Sequence, residues 1–170
     1  MKKYLLFLAA SACFASTQAQ SSASAEKDTT TKQNGWYVEV AGQSILGVTF
    51  NYEHYFSKKP GGLSVHIGFG GGYLPDIFDD GITVFGALPA GLSYNIPVSA
   101  NKQHFIEVGG GYTYLFSNGG ASLGSVTAGY RYVSPSGLQI RATLMPAVFL
   151  LGNGGGGPLP WAGFSIGKRF

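Results

Sequence analysis

Cysteine is nearly missing from this chain: among 170 residues there is one, Cys13. It lies in the apolar segment at the N-terminus, so the rest of the chain offers no disulfide, no thiol nucleophile and no thiolate metal site. Charge is scarce too. Asp, Glu, Lys and Arg make up 11% of the residues, against about a quarter in an ordinary globular chain, and the basic ones form no stripe of the kind a nucleic acid would need. Beyond the N-terminal segment no stretch approaches the roughly 20 uninterrupted apolar residues of a membrane-spanning helix. Yet 45% of the residues are hydrophobic, 14% are aromatic and 27 are glycine. High apolarity without a spanning helix fits strands whose apolar residues are diluted by polar ones on the opposite face.

The N-terminus reads as a signal peptide over 1–19. Lys2 and Lys3 form its basic region, Tyr4 to Ala15 its apolar run, and Thr17-Gln18-Ala19 the cleavage site before Gln20. A rival reading takes Ala10-Ser11-Ala12-Cys13 as a lipoprotein processing site, which shortens the apolar run and lacks the usual leucine three positions before the cysteine. Residues 20–34 are rich in Ser and Thr without apolar periodicity, a flexible leader. The remainder, 35–170, is one domain by length. Its alternating runs and turn signals predict eight strands: 36–43, 47–56, 63–73, 82–96, 104–116, 122–133, 137–150 and 159–170. The fold class is therefore all-β, an eight-stranded antiparallel up-and-down barrel, transmembrane by composition. Ser57 to Gly62, Pro97 to Gln103 and Ser134-Pro135-Ser136 are the turns at the end holding both termini. Leu74 to Gly81, Ser117 to Ala121 and Leu151 to Pro158 are the loops at the other end.

Period-two alternation sends successive side chains to opposite faces of a strand. Applied throughout, it gathers Glu39, Glu53, Glu107, Arg131, Arg141, Arg169 and His66 inside, with Asn51, Ser64, Thr127 and Gln139. Three acids and three guanidiniums in so narrow a tube are expected to pair, because an unpaired charge away from bulk water is costly and Arg suits two-point contact with carboxylate. That predicts a salt-bridged closure near the termini, with His66 hydrogen-bonded into it. Toward the other end Phe85, Leu115, Met145, Phe149 and Trp161 make the lumen apolar, either a hydrophobic pocket or simply a packed interior. Trp36, Tyr55, Phe56, Tyr94, Phe105, Tyr130, Tyr132 and Phe170 are expected in an aromatic belt near the termini. Tyr73, Phe78, Tyr112, Tyr114, Phe116, Phe149 and Trp161 would form a second belt at the far rim.

Catalytic patterns are thin. Only His66 of the three mature histidines points inward, and Asp76, Asp79 and Asp80 share a loop without calcium-loop spacing. The glycine run from Gly68 to Gly72 precedes no helix, so it is no phosphate loop. The reading is non-enzymatic, with no cofactor and no metal.

The last ten residues, W-A-G-F-S-I-G-K-R-F, put Ala162, Phe164, Ile166, Lys168 and Phe170 on one face and Trp161, Gly163, Ser165, Gly167 and Arg169 on the other. A chain stopping on such a strand with a terminal Phe resembles the bacterial outer-membrane β-barrels. The motifs W-Y-V-E-V-A-G, V-T-F-N-Y-E-H-Y-F, E-V-G-G-G-Y-T-Y, T-A-G-Y-R-Y and L-M-P extend that resemblance to small barrel proteins of Bacteroidetes across Trp36 to Phe170. The resemblance implies a place in a Gram-negative outer membrane and an assembly signal in Phe164, Ile166 and Phe170, read by the barrel-assembly machinery. Outer-membrane lipids are the other implied partner, and no defined activity comes with it. The order Ser64-Val65-His66 departs from the His-x-Ser of outer-membrane lipid A deacylases. Three function classes remain open: a structural or interaction protein of the envelope, a binder of a lipid or small hydrophobic ligand in the upper lumen, and a narrow gated channel.

Overall fold

The structure, a computed structural model, describes residues 32–75, 82–116, 120–151 and 159–170. The signal-peptide reading of 1–19, most of the leader and most of each far loop fall outside these residues. Among the described residues eight strands run in chain order: β1 Asn34–Ala41, β2 Gly47–Tyr55, β3 Gly62–Pro75, β4 Ile82–Pro97, β5 His104–Phe116, β6 Ala121–Val133, β7 Leu138–Leu151 and β8 Leu159–Arg169. Each pairs antiparallel with the next, and β1 closes the ring on β8 from Gly35↔Arg169 to Ala41↔Gly163. The expected barrel is thus observed, with every strand within two residues of its predicted bounds. Closure removes the free edges that an open sheet would expose.

The turns at the termini end follow their sequence. Gly61 and Gly62 close β2–β3 at φ 89° and 91°, and Gly137 closes β6–β7 at φ 94°, backbone conformations that side chains resist. The far end departs from expectation at β1. The strand stops at Ala41, and Gly42–Ser44 forms a single 3-10 turn buried inside the barrel. Alternation alone runs β1 on to residue 43.

Polarity is inverted relative to a soluble domain. The outward positions hold exposed Ile67 and Phe69 (both 63%), Leu144 (64%) and Val84 (75%), while Glu53, Glu107 and Arg131 inside are at most 2% exposed. The β8 alternation holds as expected, with Phe164, Ile166 and Phe170 outside and Ser165, Gly167 and Arg169 inside. Trp36, Phe56, Tyr94, Tyr130 and Phe170 are exposed near the termini, and Tyr73, Tyr112, Tyr114 and Phe116 toward the far end. Tyr55 and Phe105 do not join the first belt, being buried in the lumen. They share parity with Glu53 and Glu107, and parity outranks nearness to a strand end. Trp161 also turns inward, onto the apolar interior. Phe78, and the side chain of Phe149, lie outside the described residues.

One bulge changes the register. On β7 the pairing with β6 shifts between Leu144 and Ala147 and that with β8 between Met145 and Val148, around Pro146. Proline has no N–H to give a ladder, and an extra residue there reverses the parity beyond it. Val148 therefore occupies the inward position.

Candidate functional site

Polar side chains converge in the lumen, which has two storeys. The lower one, near the termini, is built around Arg131 of β6. Its Nη1 and Nη2 donate to Oε2 and Oε1 of Glu53 at 3.0 and 2.9 Å, while Nε and Nη2 donate to Oε2 of Glu107 at 2.9 and 2.6 Å. Glu53 lies on β2, four strands from β6 in a ring of eight, so this guanidinium joins opposite walls. Arg141 of β7, the cross-strand partner of Arg131, donates through Nη2 to the other oxygen of Glu107. Two like charges side by side would repel. Glu107 between them converts the clash into a bridge.

Neutral groups complete the closure. Tyr55 Oη and Ser64 Oγ donate to Glu53 at 2.8 and 2.9 Å, and Asn95 Nδ2 donates to Ser64 Oγ at 3.1 Å. The Arg141 guanidinium lies 4.5 Å from the Tyr37 ring centre, and that of Arg169 lies 3.7 Å from the Tyr55 ring centre. Each ion makes charge-assisted hydrogen bonds or ring contacts, without which its burial would be prohibitive.

Three of the expected network members sit elsewhere. Glu39 is inside but pairs with no arginine; its Oε2 accepts the Gln43 N–H at 3.3 Å. Arg141, two strands away on the row of Glu39, is turned to Glu107 instead, and the Arg131 bridge lies lower. Glu53 is level with Gly35 in the β1–β2 ladder, four residues below Glu39, or about 13 Å along the strand at about 3.3 Å per residue. Arg169 lies at the termini mouth and donates to the Lys32 carbonyl at 3.1 Å. His66 meets the Gln43 side chain, Nε2 to Oε1 at 3.1 Å, rather than a carboxylate. Ser64 and His66, neighbours on one face, are thus engaged with different partners.

The upper storey is apolar. Phe85, Ala87, Leu115, Leu123, Met145 and Val148 form one buried cluster, with Ile45, Ala121 and Trp161 packed against it. Of the residues expected there, Phe85, Leu115, Met145 and Trp161 belong to this packing. Alternation does not reveal Ile45, brought in by the turn, nor Val148, brought in by the bulge. Gln43 has the parity of Glu39 and so faces inward on the expected strand as well; Ser44 escapes alternation, although a glycine followed by two polar residues at the end of β1 is a usable turn signal. Among the described residues no group of three or more His, Cys, Asp or Glu is placed to hold a metal ion. No protein-family model, curated protein or solved structure matches the chain.

Proposed function

We propose that the chain is an integral outer-membrane β-barrel of a Gram-negative envelope, a non-enzymatic structural or interaction protein whose lumen is closed to free diffusion. The inverted polarity carries this reading: a charged and hydrogen-bonded interior inside a wall of exposed Val, Leu, Ile and Phe. In water so large an apolar exterior would drive association, whereas in a bilayer it meets acyl chains. No helix among the described residues is long and apolar enough to cross a membrane; a closed barrel can cross one with every backbone group paired between strands. The two aromatic groups at the ends of the wall suit the two interfaces.

The Glu53–Arg131–Glu107 bridge supports closure over conduction, since an eight-stranded barrel is only wide enough for its own side chains. The terminal strand suits delivery by the assembly machinery, and the resemblance to small Bacteroidetes barrels points the same way. Outer-membrane fractionation with a gel comparing boiled and unboiled protein tests the reading. A band in that fraction whose mobility shifts on boiling is expected. A soluble periplasmic protein with no shift would reject it. In planar bilayers, the expected result is no single-channel steps.

A further inference from the structure

The 3-10 turn between β1 and β2 is packed inside the barrel against backbone strain. Beyond the Glu39 and His66 hydrogen bonds to Gln43, the polar ties include Ser44 Oγ to the Ala41 carbonyl at 3.1 Å, the Ile45 N–H to the Gly42 carbonyl at 3.0 Å and Trp161 Nε1 to the Ile45 carbonyl at 3.3 Å. The two residues flanking the turn, Ala41 (φ 59°, ψ −130°) and Ile45 (φ 59°, ψ −108°), lie outside the regions open to L-residues.

The surrounding wall is shaped to receive it. A Cβ on Gly163 would lie 2.8 Å from the Gly42 nitrogen, one on Gly111 would lie 2.9 Å from Gln43 Cδ, and one on Gly47 would lie 2.9 Å from Ser44 Oγ. Three strands therefore leave out side chains where the turn sits. A second partner also waits for Glu39. Arg141, Ser165 and Glu39 occupy one row across β7, β8 and β1, and Nε and Nη1 of Arg141 are buried without a hydrogen-bond partner.

We propose that residues 41–45 are a displaceable plug: swinging outward, they relieve the strain at Ala41 and Ile45 and open a dead-ended polar chamber to small solutes. Glu39 then exchanges the Gln43 N–H for the free N–H groups of Arg141. Glu39, Thr49 and His66 line the polar wall of the chamber, and the Arg131 bridge is its floor. The plug extends the closed-barrel reading without depending on it, because Gln43, which fills the chamber, meets its partners within the lumen.

Single cysteines test it, placed in the full chain with Cys13→Ala and refolded in detergent micelles. The probe is a quaternary-ammonium methanethiosulfonate, followed by mass spectrometry. Thr49→Cys, in the chamber wall, is expected to react, while Ser64→Cys, bonded to Glu53 beneath the floor, stays unmodified. Adding Ala41→Gly, which removes strain from the closed state, should slow the Thr49→Cys reaction about fivefold. Gly111→Leu should speed it by evicting Gln43. Equal reactivity at the two cysteines overturns the proposal, whether both are inert because the turn is fixed or both react because the whole barrel opens. An unchanged rate with Ala41→Gly does so too, and that comparison stands even if Gly111→Leu fails to fold.

Discussion

The lower and upper halves of the lumen are closed by opposite chemistry. Below, Arg131 spans the tube and is held by directional bonds to two carboxylates on separate strands. Above, Phe85, Leu115, Met145 and their neighbours fill the space by shape, with a strained turn as the last piece. Directional bonding fixes one arrangement and tolerates no missing partner, because each ion left alone keeps its full desolvation cost. Apolar packing is more forgiving, since neighbouring side chains relax into part of the space that a truncated one leaves. On the proposed membrane reading, a barrel with apolar surroundings gains little by burying more hydrocarbon inside it. Its lower interior must therefore be ordered by hydrogen bonds, and the mobile element belongs in the half where loss is graded.

The largest effect should come from Arg131→Met, which leaves Glu53 without a cationic partner and Glu107 with Arg141 alone. Unfolding in urea should show a loss of about 3–5 kcal/mol. Combining it with Glu53→Gln, which leaves Glu107 paired with Arg141, should recover much of that loss; no recovery would mean that the arginine acts through packing alone. On the outer wall, Ile67→Arg separates lipid from water as surroundings. It should cost about 2–4 kcal/mol in bilayers, and a change near zero would undercut the membrane reading. In the upper half Met145→Ala should cost about 2 kcal/mol, the low end for a buried methionine, because Ile45 and Trp161 can close on the cavity. A cost matching that of Arg131→Met would erase the contrast between the halves. Smallest, and opposite in sign, Ala41→Gly should raise stability by about 1 kcal/mol by relieving positive φ. Destabilisation there would show that Ala41 is not strained.

Much of this was legible in the chain. Eight alternating runs ending at glycine-rich or lysine-bearing turns specify the barrel, because a side-chain period of two is imposed by the backbone itself. The same period puts Glu53, Glu107, Arg131 and Arg141 on one face. It cannot pair them, since Glu53 and Arg131 are 78 residues apart and meet only because the ring brings β2 opposite β6. Tyr55 and Phe105 are misplaced when position along the strand is read before parity. The bulge at Pro146 is hidden because one extra residue leaves the composition of β7 unchanged while reversing its faces.

Sequence by itself therefore determined the strand count, the two faces of each strand and the charged and apolar storeys, all of which follow from local geometry and side-chain type. Tertiary structure decided which acid meets which arginine. It left Glu39 and Arg169 outside the bridge and folded the turn carrying Gln43 and Ser44 into the lumen. Those outcomes depend on the stagger of strands around a closed ring and on space left by glycines on other strands, quantities that no single segment contains.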